Sequence, residues 1–240
     1  MTPPRRPRGL FLEITEGIYW FLVVDVLLVL ASAPTLLLWT MLGTGWLTAL
    51  WFMLAALPML PAVAAGLYAC RAWREDRELI PARHFLRGYR LNALDSLKVG
   101  APLLLVLGVL GVNLTQGGSA GAGALGAVFL VLGAVALLLL VRVLSIVSTF
   151  SFRSIDTFRL AAFTLLMRPL ATLALLSLGV LTLGIILVVG EFLLLVTASL
   201  LTFALWASER PVAQLLTEQF VTPAQDDGTD AAAAEPRPEG

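Results

Sequence analysis

The sequence predicts an all-α polytopic membrane protein: a helical bundle of about six transmembrane helices with two cytoplasmic interfacial amphipathic helices. Of its residues, 59% are hydrophobic and only 13% are charged, whereas a soluble domain usually carries about 25% charged residues. Long apolar stretches alternate with connectors that are either basic or lack Lys and Arg. Because basic connectors stay on the cytoplasmic side during insertion, we expect a multi-pass protein of the cell (plasma) membrane with both termini cytoplasmic.

The transmembrane domain is expected over residues 18–210, after a cytoplasmic segment at residues 1–17. Its predicted spans are residues 18–42, 46–69, 99–114, 124–147, 170–190 and 191–209. The first span could be taken for a signal peptide, because Ala31-Ser32-Ala33 resembles a cleavage site. However, Pro34 follows directly and the apolar run continues to Met41, so we expect a helix that is retained.

The last two spans form one long apolar stretch. Between Leu170 and Ala207 the only charged residue is Glu191. A helix needs about 20 residues to cross a hydrocarbon core of about 30 Å. The stretch therefore predicts two crossings joined by a tight turn at Gly190 and Glu191. Residues 211–240 are expected to form a cytoplasmic, largely disordered tail, which is acidic and rich in Ala and Pro.

Two basic segments, residues 81–98 and 154–167, have the pattern of amphipathic helices that lie in the membrane interface. In the first, Arg83, Arg87 and Arg90 follow at i, i+4 and i+7, and Lys98 ends the segment. These four residues are a candidate surface for anionic inner-leaflet lipids or for a partner protein. Residues 89–94 and 158–163 also resemble each other, which leaves internal duplication and chance similarity both open.

Charged residues inside the spans are costly and point to function. Asp25 and Arg142 lie at similar predicted depths, roughly 10 Å and 9 Å from the cytoplasmic end of their spans. One hypothesis is that they form an intramembrane ion pair. The alternative is that each side chain reaches the headgroups separately, which a long Arg does more easily than a short Asp.

The sequence favours no enzyme class. It contains no phosphate-binding loop, no HExxH pattern and no nucleophile elbow. Cys70 is the only cysteine and His84 the only histidine, so we expect no catalytic, cofactor-binding or metal site. Three functions remain: an accessory or regulatory membrane subunit, a small-solute permease with a polar site near Asp25, and a membrane enzyme, for which no base is identifiable. We expect no nucleic-acid partner and no cofactor.

The second span and the connector after it carry a family pattern. Its positions here are Pro61, Ala62, Ala65, Tyr68, Phe85, Tyr89 and Asn92. This pattern resembles the YesL-like family of bacterial integral membrane proteins, in which Asp25 occupies a position that is often Asn. Ala33 before Pro34 and Tyr89 in place of Phe depart from that pattern. The family has no established activity. Its members are often encoded near sugar-uptake systems of the ABC class, so the resemblance implies an accessory or regulatory role in carbohydrate uptake, with ABC transporter components as partners.

Overall fold

A computed structural model describes residues 10–45, 47–76, 80–116, 123–150 and 154–220, and these residues form helices joined by short connectors. The helices are α1 Leu10–Met41, α2 Thr48–Ala55, α3 Met59–Asp76, α4 Pro81–Gln116, α5 Ala124–Thr149, α6 Ser154–Met167, α7 Pro169–Val188 and α8 Glu191–Phe220. The predicted all-α bundle is thereby confirmed. The expectations for residues 1–9 and 221–240 lie outside the described residues.

Within the described part of the chain, five helices are long and apolar enough to cross a membrane, and the count rises to six if α2 and α3 form one broken span. Large apolar side chains point outward from this bundle, with Leu187 and Val188 75% and 85% exposed. Contiguous apolar surface of this extent marks contact with lipid or protein rather than with water. The chain is therefore a multi-pass helical membrane protein.

The bent span α2–α3 owes its break to proline. The axes of α2 and α3 meet at 41°. Pro58 has no N–H to donate and disfavours helical geometry at Leu57 before it. The amide N–H groups of Ala56 and Leu57 accordingly bond three residues back, to the carbonyls of Met53 and Leu54. The kink thus follows from the sequence, and Pro61 lies one turn later in the regular helix α3.

The first predicted interfacial helix is not a separate element, which corrects that prediction. Residues 81–98 are continuous with the third span in the 36-residue helix α4, which is about 54 Å long at 1.5 Å per residue. The hydrocarbon core is only about 30 Å thick, so the basic part of α4 prolongs the span beyond it. Nothing between Lys98 and Pro102 breaks the helix, and Pro102 is accommodated inside α4.

The second basic segment does form a helix of its own, α6, with the predicted bounds. It ends because Pro169 follows Arg168, and the residue before a proline is disfavoured in helical geometry. Arg168 has φ −122° and ψ 72°, and Pro169 then opens α7. The two similar segments, residues 89–94 and 158–163, therefore differ in architecture: one continues into its span and the other turns before it.

The last helix runs beyond the end of the predicted span at residue 209, into the first part of the predicted tail. Residues 211–220 are helical, and Pro211 lies inside α8. Val212 and Leu216 are 2% and 1% exposed, within the main apolar core. Burial of these two residues, one helical turn apart, stabilises the helix beyond the proline.

Glycines on α4 allow α2 and α3 to pack closely against it. A Cβ at Gly88 would lie 2.8 Å from the Cβ of Tyr68, and one at Gly108 would lie 3.1 Å from the Cα of Leu50. Small residues let helix backbones approach in membranes, where packing drives association.

The chain reverses between α7 and α8 at Gly190, the position at which the sequence predicts a turn. Gly190 has φ +105°, a region that side chains other than glycine rarely adopt. Its N–H, like that of Val189, donates to the carbonyl of Ile185. Both bonds therefore end on one carbonyl in the last turn of α7, where the chain leaves the helix.

Candidate functional site

Arg142 pairs with Glu209 and not with Asp25, which overturns the predicted ion pair. Arg142 Nε on α5 lies 3.3 Å from Glu209 Oε2 on α8, and the two side chains are 0% and 5% exposed. Arg142 Nη2 also donates to Thr172 Oγ1 on α7 at 3.3 Å. Arg142 therefore ties three helices together inside the bundle.

This pair is incompletely hydrogen-bonded. Arg142 Nη1 and Glu209 Oε1 are buried, and neither has a hydrogen-bond partner within the described part of the chain. A buried polar group in this condition costs free energy unless water or a ligand supplies the missing partner. Glu209 also lines a cavity, so its buried oxygen belongs to a residue that borders an open space.

Asp25 has a separate partner. Its Oδ1 accepts a hydrogen bond of 2.9 Å from the backbone N–H of Ser199 on α8. Asp25 is half-buried, and Ser199 is buried. The two residues join α1 to α8, so Asp25 acts as a crosslink between helices and not as the counter-ion of Arg142.

A cavity of about 410 Å³ opens where α3, α5 and α8 meet, and we call it the arginine cavity. Its charged and aromatic lining comprises Arg71, Arg74, Glu75, Phe150, Trp206, Glu209 and Arg210. These residues come from the end of the bundle that carries the basic connectors, which is the predicted cytoplasmic end. Neither this cavity nor the small one beside it is lined by Asp25 or Pro34.

One arginine of the cavity is structural. Arg71 Nε donates to Glu75 Oε1 at 2.9 Å, and Arg71 Nη1 donates to the carbonyl oxygen of Thr149 at 3.0 Å. That carbonyl belongs to the last turn of α5, where no intrahelical N–H is left to bond it. Arg71 therefore anchors α3 to the end of α5.

The other two arginines lie over aromatic rings. The Arg74 guanidinium carbon is 5.7 Å from the ring centre of Trp73 and 5.6 Å from that of Phe203. The Arg210 guanidinium carbon is 5.1 Å from the ring centre of Trp206. Such contacts orient a guanidinium group while leaving its N–H donors available.

These rings belong to an aromatic cluster that joins α1, α3 and α8. Trp20 stacks on Trp73 with ring centres 4.8 Å apart, and Phe21 meets Phe203 edge-on at 5.5 Å. Trp206 lies 5.5 Å from Phe203 and extends the cluster to the cavity. The packed rings give Arg74 and Arg210 a rigid support.

The predicted basic surface on α4 is exposed in full. Arg83, Arg87, Arg90 and Lys98 are all exposed, and Lys98 makes only an exposed pair with Asp95, at 3.3 Å. Three leucines share this part of α4 and are at least half exposed: Leu86, Leu91 and Leu94. The surface thus combines cationic and apolar contacts, which suits either a headgroup layer or a protein partner.

The residues of the family pattern serve packing. Pro61, Ala62, Ala65 and Phe85 are buried, whereas Tyr68, Tyr89 and Asn92 are partly buried. Ala65, Phe85 and Tyr89 belong to the same apolar cluster as Trp20. Asn92 Nδ2 donates to the carbonyl of Gly88 at 3.0 Å, within α4. The pattern therefore records how α3 fits against α4.

Glu209 is the residue that sequence reasoning missed. In the sequence it is the last residue of the predicted span 191–209, and Arg210 and Pro211 follow it. The available signal was the spacing of Val212 and Leu216, which carries the apolar face of the helix past Pro211. With α8 continued, Glu209 lies well inside a helix and requires a partner.

Comparison with known proteins gives one match, which covers the N-terminal part of the chain. No curated protein matches, and no solved structure matches. The matched part holds the buried pattern residues of α3 and α4 and one wall of the arginine cavity, whereas Arg142 and Glu209 lie beyond it. Residues 18–114 match the family model described as a protein of unknown function, DUF624.

Proposed function

We propose that this protein is an accessory or regulatory subunit of a membrane transport system, and that the system takes up carbohydrate through ABC-type components. The exposed basic surface on α4, formed by Arg83, Arg87, Arg90 and Lys98, carries the proposal. The link to carbohydrate uptake rests on the family resemblance of residues 61–92 alone.

The continuity of α4 supports a docking role for this surface. In a helix that lies flat in the membrane interface, the cationic face would contact lipid headgroups. Here the basic segment instead prolongs a span, because α4 runs unbroken from Pro81 to Gln116. Its arginines and exposed leucines therefore extend beyond the hydrocarbon core, where a protein partner can contact both kinds of side chain.

The arrangement of polar groups does not favour the permease alternative. A permease site at Asp25 needs a cavity that reaches this residue. Asp25 instead accepts a hydrogen bond from Ser199 between two helices, and the arginine cavity is lined by other residues. The polar features that face outward support an accessory subunit.

The test is co-purification from native membranes after mild crosslinking. Tagged wild-type protein is expected to recover the subunits of a sugar-uptake ABC transporter, identified by mass spectrometry. The double variant R83E/R87E reverses two exposed charges on the docking surface and is expected to lose them. The matched control, R159E/R168E, reverses two exposed arginines on and beside α6 and is expected to retain them.

Two results would contradict the proposal. The wild-type protein could be recovered without transporter subunits, or R83E/R87E could retain them to the same extent as the control. Thermal melting of both variants in detergent checks that the bundle is intact, and the equal charge change controls for any effect on membrane orientation.

A further inference from the structure

The arginine cavity has the features of a small-molecule binding site. None of its lining residues belongs to the docking surface on α4. The cavity is a concave space of about 410 Å³, in the range of small-molecule sites. Its lining includes Glu209, whose buried Oε1 has no partner among the described residues. A buried acceptor on a residue that lines an open cavity is a candidate partner for a hydrogen-bond donor on a bound ligand.

The charges of the cavity favour an anion. Arg71 is matched by Glu75, and the buried Arg142 is matched by Glu209. Arg74 and Arg210 have no acidic partner within the described ranges, so they leave two positive charges on the rim. Both guanidinium groups are fixed over aromatic rings, and a fixed guanidinium group suits a phosphate oxygen geometrically.

The two observations together define the ligand. The guanidinium groups of Arg74 and Arg210 can donate hydrogen bonds to a phosphate, and Glu209 Oε1 can accept one from a hydroxyl group. We propose that the arginine cavity binds a phosphate ester that carries a free hydroxyl group. Such a group occurs both in the headgroup of phosphatidylglycerol and in a soluble polyol phosphate.

The location of the cavity is consistent with either source. Its lining lies at the end of the transmembrane helices, near the level of the headgroups if the basic connectors are cytoplasmic. A lipid would enter sideways between helices, whereas a soluble ester would enter from the aqueous phase. This binding site does not depend on the docking surface of α4. Experiments can therefore disprove the phosphate-ester site or the docking surface separately.

The soluble arm uses the full-length protein in nanodiscs of phosphatidylcholine only. Titration calorimetry with glycerol 3-phosphate is expected to detect binding. The variant R74Q/R210Q is expected to weaken it by about tenfold or more, since it removes the charged hydrogen bonds from both guanidinium groups to the phosphate. The control R159Q/R168Q removes the same charge from exposed residues on and beside α6 and is expected to leave the affinity unchanged.

A second comparison tests the role of the hydroxyl group. Methyl phosphate has the same phosphate monoester but no hydroxyl donor for Glu209. It is expected to bind about tenfold more weakly than glycerol 3-phosphate, as for a site whose buried acceptor is left unpaired. Equal affinity for the two ligands would contradict the assignment of Glu209 Oε1.

The lipid arm uses nanodiscs that contain phosphatidylglycerol. Native mass spectrometry is expected to show that wild-type protein and R159Q/R168Q retain this lipid more often than R74Q/R210Q. Retention without binding of glycerol 3-phosphate identifies a lipid site, and the reverse identifies a soluble ester. The proposal is overturned if wild-type protein exceeds R74Q/R210Q in neither arm. Because Arg74 and Arg210 are exposed, all variants are expected to fold, which thermal melting verifies.

Discussion

Replacing Arg142 and Glu209 separately and together tests whether they form the pair that stabilises the bundle. We compare R142M, E209L and the double variant R142M/E209L. Either single change leaves one buried charge without its counter-ion, whereas the double change removes both charges and fills the space with apolar atoms of similar size. The double variant is therefore expected to be more stable than either single variant.

The magnitude follows from the distance and the burial. At the 3.3 Å between Arg142 Nε and Glu209 Oε2, two unit charges attract by about 5 kcal/mol at an effective dielectric constant of about 20. The cost of desolvating both groups offsets much of this attraction. Removing one partner of a buried pair typically costs about 3–5 kcal/mol, and we expect that loss in free energy of unfolding for R142M and E209L.

The assay is equilibrium unfolding by SDS titration in mixed micelles, read by far-ultraviolet circular dichroism. Asp25 supplies the matched control, because it is the other acidic residue considered as a partner of Arg142. In a double-mutant cycle, D25N and R142M are expected to be additive, within about 0.5 kcal/mol, as for residues that share no contact. Arg142 and Glu209 are expected to be strongly coupled.

The opposite pattern would refute this reasoning. If R142M/E209L is as unstable as the sum of its single variants, the two charges do not compensate each other. If D25N couples to R142M while E209L does not, the acidic partner of Arg142 is Asp25 and not Glu209.

The remaining predictions concern two glycines, Gly88 and Gly190, and the same SDS titration measures both. The control is G133A, because a Cβ at Gly133 would meet nothing within 4 Å. G88A places a Cβ 2.8 Å from Tyr68 and is expected to destabilise the bundle by about 1–3 kcal/mol through overpacking. G190A forces alanine to φ +105° and is expected to cost about 1–3 kcal/mol through backbone strain. Stability equal to that of G133A in either variant would show that the close contact or the turn is not required.

Much of the fold could be predicted because the bilayer imposes it on the sequence. Length and apolarity identify the spans, since every backbone group must be bonded inside a helix. The turn at Gly190 could also be predicted, because the apolar stretch of 38 residues is longer than one membrane crossing needs. Hydropathy says nothing about how helices rotate against each other, and for this reason it missed the burial of Glu209.

Where the predictions were wrong, a local rule was applied without its tertiary context. The last span was predicted to end at residue 209, yet contacts of Val212 and Leu216 with the core stabilise the helix beyond Pro211. The acidic partner of Arg142 was chosen by depth, but depth does not determine which helix faces it. Proline did decide the outcome at Pro169, which begins a new helix after Arg168, and no such residue interrupts α4 at Lys98.

The unbroken helix α4 has a mechanical consequence. Its basic end and its opposite end belong to one rod of about 54 Å, and α3 is locked against it at Gly88. A tilt of about 10° in such a rod would move one end by about 9 Å relative to the other. Because α2 meets α3 at the Pro58 break, the rod and α3 could pivot while α2 adjusts. A force that a partner applies at Arg83 would then displace the opposite end of α4, on the other side of the membrane.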